Sequence, residues 1–395
     1  MRTNNKLKKE QFYITVYHPL INMKKKYQFK KLLLITGSLL LLFIASCKKD
    51  NKNNNQGTTP AATPKTIGFY AVDSSIYKVL LMNISQIGTQ PTNYDLIYDT
   101  GSGGLVIDAN GILPASMITS TGFNFTGDST VVDGITITNQ TNIVEYGDDN
   151  ATTSKVYGNL AYAPVTVGDQ NGNIVVKRLP FFIYWKATDA SGTIQPVHDF
   201  DVFGVSSEYD ITFGNGAYIT SPFSYFDPGT GLTKGFKMAP VPSSSYSELG
   251  NYVPDVTLGL TSADLSSNGF SLSQLQFYTG EGYLPIFPAN LAYGGGKVFT
   301  GYVLFDTGTE PYSYLQDPNA GANPVLLSSG SSVSITVTNS SFHYSYTTSN
   351  TDNLTYVENP TNSGSVVSVV SLDFFENNSY LLDFQNNQLG LKSGN

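Results

Sequence analysis

The sequence is poor in the residues on which many enzyme chemistries depend. Its 395 residues include one cysteine, one tryptophan and three histidines, and only 13% are charged. A single cysteine excludes a disulfide framework and a Cys-x-x-Cys metal or redox pair. No His-Glu-x-x-His and no Asp-x-Asp-x-Asp-Gly occurs, so no metal site is expected. No cofactor motif is present, and none is expected either. His198 and His343 lie far apart, and there is no Gly-x-Ser-x-Gly elbow, which argues against a Ser-His-Asp hydrolase. Helical periodicity is scarce.

The first residues have a distinct composition. Lys24–Lys31 is basic, Leu32–Ala45 is apolar, and Ser46-Cys47 closes the run. A basic segment, a short apolar segment and small residues before a cut site describe a secretory signal. The apolar run is too short for a comfortable membrane span. Ile44-Ala45-Ser46-Cys47 resembles the bacterial lipobox, which implies lipidation of Cys47 after removal of residues 1–46. Met23 opens this signal, so translation is expected to start there. Lys48, rather than Asp, follows the cysteine. By that resemblance the expected location is the cell envelope, lipid-anchored to the outer membrane. Residues 1–46 carry nine of the 22 Lys+Arg and one of the 30 acids, leaving 13 bases against 29 acids in the remainder. So acidic a chain does not suit a nucleic-acid partner. The remaining 349 residues can bury a large core without disulfides.

Residues 47–65 are polar, Asn-rich and without apolar periodicity, and they read as a flexible tether. From Thr66 onward short apolar or alternating runs are punctuated by Gly, Asn, Asp and Pro. Val131–Ile137 and Val333–Val337 are examples. These are strand and turn signals, and they predict an all-β fold. The length suggests two lobes, residues 66–260 and 261–395. Trp185, in Phe181–Trp185, is assigned to the core or the lobe surface rather than to a ligand platform.

One long-range duplication carries chemistry. Asp95–Tyr98 runs into Asp99-Thr100-Gly101-Ser102, and Gly301–Phe305 runs into Asp306-Thr307-Gly308-Thr309. One Asp-Thr-Gly is weak evidence, because Asp and Gly are ordinary turn residues. Two copies after matching strands, half a chain apart, are strong evidence. Two carboxylates about 3 Å apart cannot both ionise and share one proton. One can then act as a base toward water and the other as an acid toward a carbonyl. Glycine permits close backbone approach, and the following Ser or Thr hydroxyl can bond a carboxylate oxygen.

On these motifs the sequence resembles the pepsin-like aspartic peptidases, across about residues 66–392. The resemblance implies a bilobal β fold with an active-site cleft between the lobes and a polypeptide substrate. It implies Asp99 and Asp306 as the catalytic pair, with Thr100 and Thr307 interlocking beneath them. Ser102 and Thr309 would bond the outer carboxylate oxygens, and Gly101 and Gly308 would complete the loops. Val144-Glu145-Tyr146-Gly147 resembles the flap, with Tyr146 closing over substrate and Tyr157 as its fallback. The acids Asp148 and Asp149 would sit toward the flap tip and read as a solvated hairpin tip; the sharper alternative is that they disfavour acidic substrates and favour basic or neutral ones. Phe200–Val205 resembles the segment that braces the first Asp loop through Gly204. Ser379–Leu391 resembles the closing hairpin. Both aspartates come from one chain, so a monomer is expected.

The sequence also departs from that pattern. Val369-Val370-Ser371 places serine where the second bracing glycine is expected, and Glu310-Pro311 adds a charge beside the second motif. The tryptophan that eukaryotic members carry after the first motif is replaced by Leu105-Val106. These differences point to a divergent bacterial branch and leave open how well Asp306 is held. The alternative function is a weak or inactive lipoprotein of the same fold that binds peptides or envelope components. A carbohydrate-binding surface protein would fit the aromatic content but does not explain the paired motifs.

Overall fold

The computed structural model describes residues 62–394, apart from 75–76, 147–152 and 267–268. The signal segment, Cys47, most of the tether, Gly147 and the acids Asp148 and Asp149 lie outside the described residues. The first strand begins at Lys65. Among the described residues the only helical pieces are four short 3-10 turns and one α-helical turn, Pro360–Ser363.

Two large sheets account for the fold. A fourteen-stranded sheet carries most of residues 65–260, and an eight-stranded sheet is built from residues within 286–370. Both are organised in the same way around an aspartate. In the first sheet, Gln90–Asp99 pairs in parallel with Val202–Val205, placing Asp99 opposite Gly204. Val202–Val205 also pairs antiparallel with Gly103–Asp108. In the second sheet, Lys297–Phe305 pairs in parallel with Val367–Val370, which pairs antiparallel with Tyr312–Gln316. Each Asp therefore lies at the buried end of a strand that has a neighbour on either side in its sheet.

The lobes share a floor. Thr233–Met238 pairs with Asn251–Leu260 on one side and with Asn378–Asp383 on the other. Ser271–Gln274 joins the same sheet through Gln388–Ser393. The C-terminal strands thus return to the sheet that carries the first lobe.

A continuous run of aromatic rings lies between the two aspartates. It passes from Tyr98 through Phe203, Phe223 and Phe236 to Tyr380, with successive centroids 5.1–6.4 Å apart. From Tyr380 it continues through Phe375 and Phe374 to Phe305, the last contact at 4.1 Å. Tyr98 and Phe305 each precede a motif aspartate. Tilted and edge-on pairs of this kind add to the area they bury. Packing therefore fixes the spacing of the two motif strands.

Local sequence explains the hairpins. Ser129–Val132 and Ile135–Tyr146 are joined through Asp133-Gly134, both with positive φ (50° and 76°). That geometry matches a two-residue primed turn, where Asp and Gly are favoured. Ile135–Tyr146 then pairs antiparallel with Ser154–Asp169 as a long hairpin. Val144 and Tyr146 are buried on one face, whereas Ile143 on the other is exposed.

Candidate active site

The two Asp-Thr-Gly loops meet with near-twofold symmetry. Thr100 N–H donates to Thr307 Oγ1 and Thr307 N–H donates to Thr100 Oγ1, both at 3.0 Å. Each hydroxyl then donates across to the opposite strand. Thr100 Oγ1 reaches the Phe305 carbonyl at 2.9 Å, and Thr307 Oγ1 reaches the Tyr98 carbonyl at 2.7 Å. Four buried donors and acceptors are satisfied across the lobe boundary, where an orphaned one would cost about 1–3 kcal/mol.

Above this lock the carboxyl groups are held identically. Asp99 Oδ1 accepts from Gly101 N–H at 2.7 Å, and Asp99 Oδ2 accepts from Ser102 Oγ at 2.5 Å. Asp306 Oδ1 accepts from Gly308 N–H at 2.8 Å, and Asp306 Oδ2 accepts from Thr309 Oγ1 at 2.6 Å. The loops approach closely because both turns are glycine. A Cβ at Gly101 would lie 2.6 Å from Asp306 Cγ, and one at Gly308 would lie 2.9 Å from Asp99 Cγ. Both aspartates are essentially inaccessible by residue, at 0% and 1% exposure.

The two carboxyl groups converge: a Cβ at Gly308 would lie 2.9 Å from Asp99 Oδ1 and 3.2 Å from Asp306 Oδ1. Burial, then the Asp99 charge and hydrogen bonding toward Asp99, push Asp306 well above the usual carboxylate range, against the opposing bonds from Thr309 and Gly308. The proton belongs to the pair rather than to either residue.

An aspartic proteinase from Irpex lacteus, known from its crystal structure, superposes with a TM-score of 0.54 at 16% identity, over 84% of this chain and 98% of that one. The fold is that of the pepsin-like aspartic proteinases. No family model matches the sequence, and no curated protein matches it.

Within this pepsin-like frame the two bracing segments differ. In the first lobe Gly204 faces Ser102, whose carbonyl oxygen would be 2.7 Å from an added Cβ. The antiparallel pairing there runs on to Val205 opposite Gly103. In the second lobe the comparable pairing is limited to Tyr314 opposite Val369. Ser371 leaves the ladder and starts the 3-10 turn Leu372–Glu376. Its N–H donates to Ser313 Oγ at 3.0 Å, and Ser313 Oγ donates to Ser371 Oγ at 3.2 Å. The opened ladder makes room for a side chain, and a buried serine pair satisfies it. Asp306 N–H still donates to Val370 O at 2.9 Å.

Tyr146 ends the described part of the hairpin. Its ring stacks on Phe200 at 6.1 Å, and its hydroxyl has no partner among the described residues. Burial, then the charges of Asp210, Asp99 and Asp201, push the phenol well up. Tyr157 lies on the other face of the hairpin, with Lys186 Nζ 4.1 Å from its ring centre. His198 is structural. Nδ1 lies 2.7 Å from Asp201 Oδ2, and Asp201 Oδ1 accepts from Asp108 N–H and Tyr184 OH.

Two acids near the pair escaped the sequence reading. Glu208 is 3% exposed, and its Oε1 has no partner among the described residues. Burial, then the charges of Asp210 and Asp99, raise it well above the ordinary value. Asp210 is open to solvent. The surrounding protein and the Asp99 charge nonetheless push it up to about 7. The available signal was two acids within six residues of Gly204, on the segment leaving the bracing strand. Glu310, noted for its charge, is buried with Oε1 unpartnered among the described residues, and burial pushes it up to about 9.

Proposed function

We propose that the chain is an aspartic endopeptidase acting on polypeptides. The observation that carries this reading is the convergence of Asp99 and Asp306, with each carboxyl clamped by its own loop. One carboxylate takes a proton from water as it attacks the peptide carbonyl. The other, protonated, donates to the carbonyl oxygen, so no metal or covalent intermediate is required. Tyr146 serves as the flap residue. The chain works as a monomer, since both acids come from one polypeptide. The lipobox-like Ile44–Cys47 and the following Lys48 support export and lipid anchoring to the outer membrane through Cys47. Radiolabelled palmitate incorporation that is lost in Cys47→Ser would support the anchor.

The test is digestion of casein and a peptide library by wild type, Asp99→Asn and Asp306→Asn. Wild type should cleave with an acidic optimum, and both variants should lose about three orders of magnitude or more in kcat. Cleavage that survives either substitution rejects the mechanism. Binding without cleavage by the wild type points instead to a peptide-binding protein of this fold.

A further inference from the structure

The segment leaving the first bracing strand carries two acids that the peptidase reading leaves unused, Glu208 and Asp210. The first catalytic loop fixes its course. Ser206 N–H donates to Ser102 O at 2.9 Å, and a Cβ at Gly103 would lie 2.6 Å from Glu208 O and 3.3 Å from Glu208 Cγ. The second half of the chain holds the segment as well. Glu208 forms a bridge with Gly282, and Tyr209 N–H donates to Glu281 O at 2.7 Å. Just beyond Asp210 the chain meets the flap hairpin. Ile211 joins the buried cluster that contains Val144 and Tyr146, and Thr212 O accepts from Asn142 Nδ2 at 2.7 Å. Asp210 therefore stands between the first catalytic loop and the flap hairpin, on backbone anchored at both ends, and it is open to solvent.

Two buried polar groups face Asp210 with atoms unsatisfied. The Tyr146 hydroxyl belongs to a residue 5% exposed and has no partner among the described residues; the charge that acts on it most strongly is Asp210. Glu208 Oε1 is likewise without a partner among the described residues, and Asp210 is again the strongest neighbouring charge. Groups left so when buried are costly unless something else meets them. No cation of the chain does. The charges facing Glu208 are Asp210, Asp99 and Asp306, and the charge facing Asp210 is Asp99. The ion pairs among the described residues, made by Lys78, Lys155, His198 and Lys237, all involve other acids.

The chemistry that answers this arrangement is a positive side chain. An acidic one would meet Asp210, Glu208 and the catalytic pair and be repelled. An apolar one would strip water from the Asp210 carboxyl and give nothing back. An ammonium or guanidinium can donate to the Asp210 carboxylate and, with a further N–H, to the Tyr146 oxygen. Among the described residues no three His, Cys, Asp or Glu side chains are grouped to hold a metal ion, so the cation is one that the substrate brings. We propose that Asp210 is a specificity-determining residue that selects a lysine or arginine side chain near the scissile bond, with the Tyr146 hydroxyl as its second contact. This assignment rests on the peptidase reading of the site and names the class of polypeptide it takes.

The test uses a neutral decapeptide into which lysine, norleucine or glutamate is placed at each position in turn. At one position near the cleaved bond, kcat/KM of the wild type should be at least about tenfold higher for lysine than for norleucine, as a close charge pair across an interface implies. Glutamate there should be the poorest. Asp210→Asn should bring the lysine-to-norleucine ratio within about twofold of one, and Asp210→Glu, which keeps the charge, should retain most of it. If a thermal melt shows that Asp210→Asn does not fold, Tyr146→Phe, which removes only the hydroxyl, should reduce the ratio by roughly threefold. Binding of the same peptides to Asp306→Asn, read by fluorescence anisotropy, separates selection from turnover. Lysine-selective binding without cleavage by the wild type supports the site and rejects the peptidase reading. Cleavage without a lysine preference at any position overturns the site and leaves the peptidase reading standing. A preference that survives Asp210→Asn overturns the assignment to Asp210, and absence of both cleavage and binding overturns site and peptidase reading together.

Discussion

Gly101→Ala probes the geometry of the carboxyl pair without removing a polar atom. The backbone of Gly101 is outside the left-handed region, so alanine brings no φ penalty. The added methyl would lie 2.6 Å from Asp306 Cγ and 2.7 Å from both its oxygens. Carbon atoms settle at about 3.5–4.0 Å, so one loop must yield by about 1 Å. Overpacking of this kind costs about 1–3 kcal/mol of stability. A misplacement of about 1 Å at reacting groups costs about a hundredfold in rate, or roughly 2.7 kcal/mol of transition-state stabilisation. The assay is kcat/KM on a quenched fluorescent peptide, paired with a thermal melt. The variant should fold, melt a few degrees lower and lose about two orders of magnitude in kcat/KM. Gly308→Ala, whose methyl would lie 2.9 Å from Asp99 Cγ, should lose less. Wild-type turnover in Gly101→Ala, or the reverse order of the two variants, would refute the argument that glycine is required by carboxyl proximity.

Further outcomes follow from the same geometry. Thr100→Val and Thr307→Val should each lower stability by about 2 kcal/mol in chemical denaturation, with the double variant less than additive because the two hydroxyls share partners. Burial raises Glu310 to about 9, so the folded chain binds this proton more tightly than the unfolded one. Its contribution is fully present below the unfolded carboxyl value of about 4.5 and is lost as pH rises through about 9. Melting temperature should therefore fall across that window, and Glu310→Gln should flatten the fall; an unchanged profile would count against it. Lys78 Nζ lies 2.6 Å from Glu376 and 3.7 Å from Asp373. Lys78→Met strands both acids, so urea denaturation should show a loss of about 2–3 kcal/mol at pH 7 and less at pH 4.

The sequence alone determined what depended on local chemistry and on pattern. Alternating apolar runs with Gly and Asp at the turns set the β class, and Asp133-Gly134 adopts the hairpin turn its residues favour. Two Asp-Thr-Gly motifs after apolar strands were legible as a pair because the motif is short and repeated. Tertiary structure decided what depended on residues far apart in sequence. The Asp99–Asp306 contact spans 207 positions and is set by interlocked threonines and by an aromatic run drawn from both lobes. Ser371 read as a defect beside Asp306. A ladder that opens early and a partner serine 58 positions away accommodate it. The raised values of Glu208, Asp210 and Glu310 come from crowding and neighbouring charge, and neither is written in the residues themselves. Backbone propensity and motif chemistry act over a few residues, whereas desolvation and close approach arise only when distant strands are brought together.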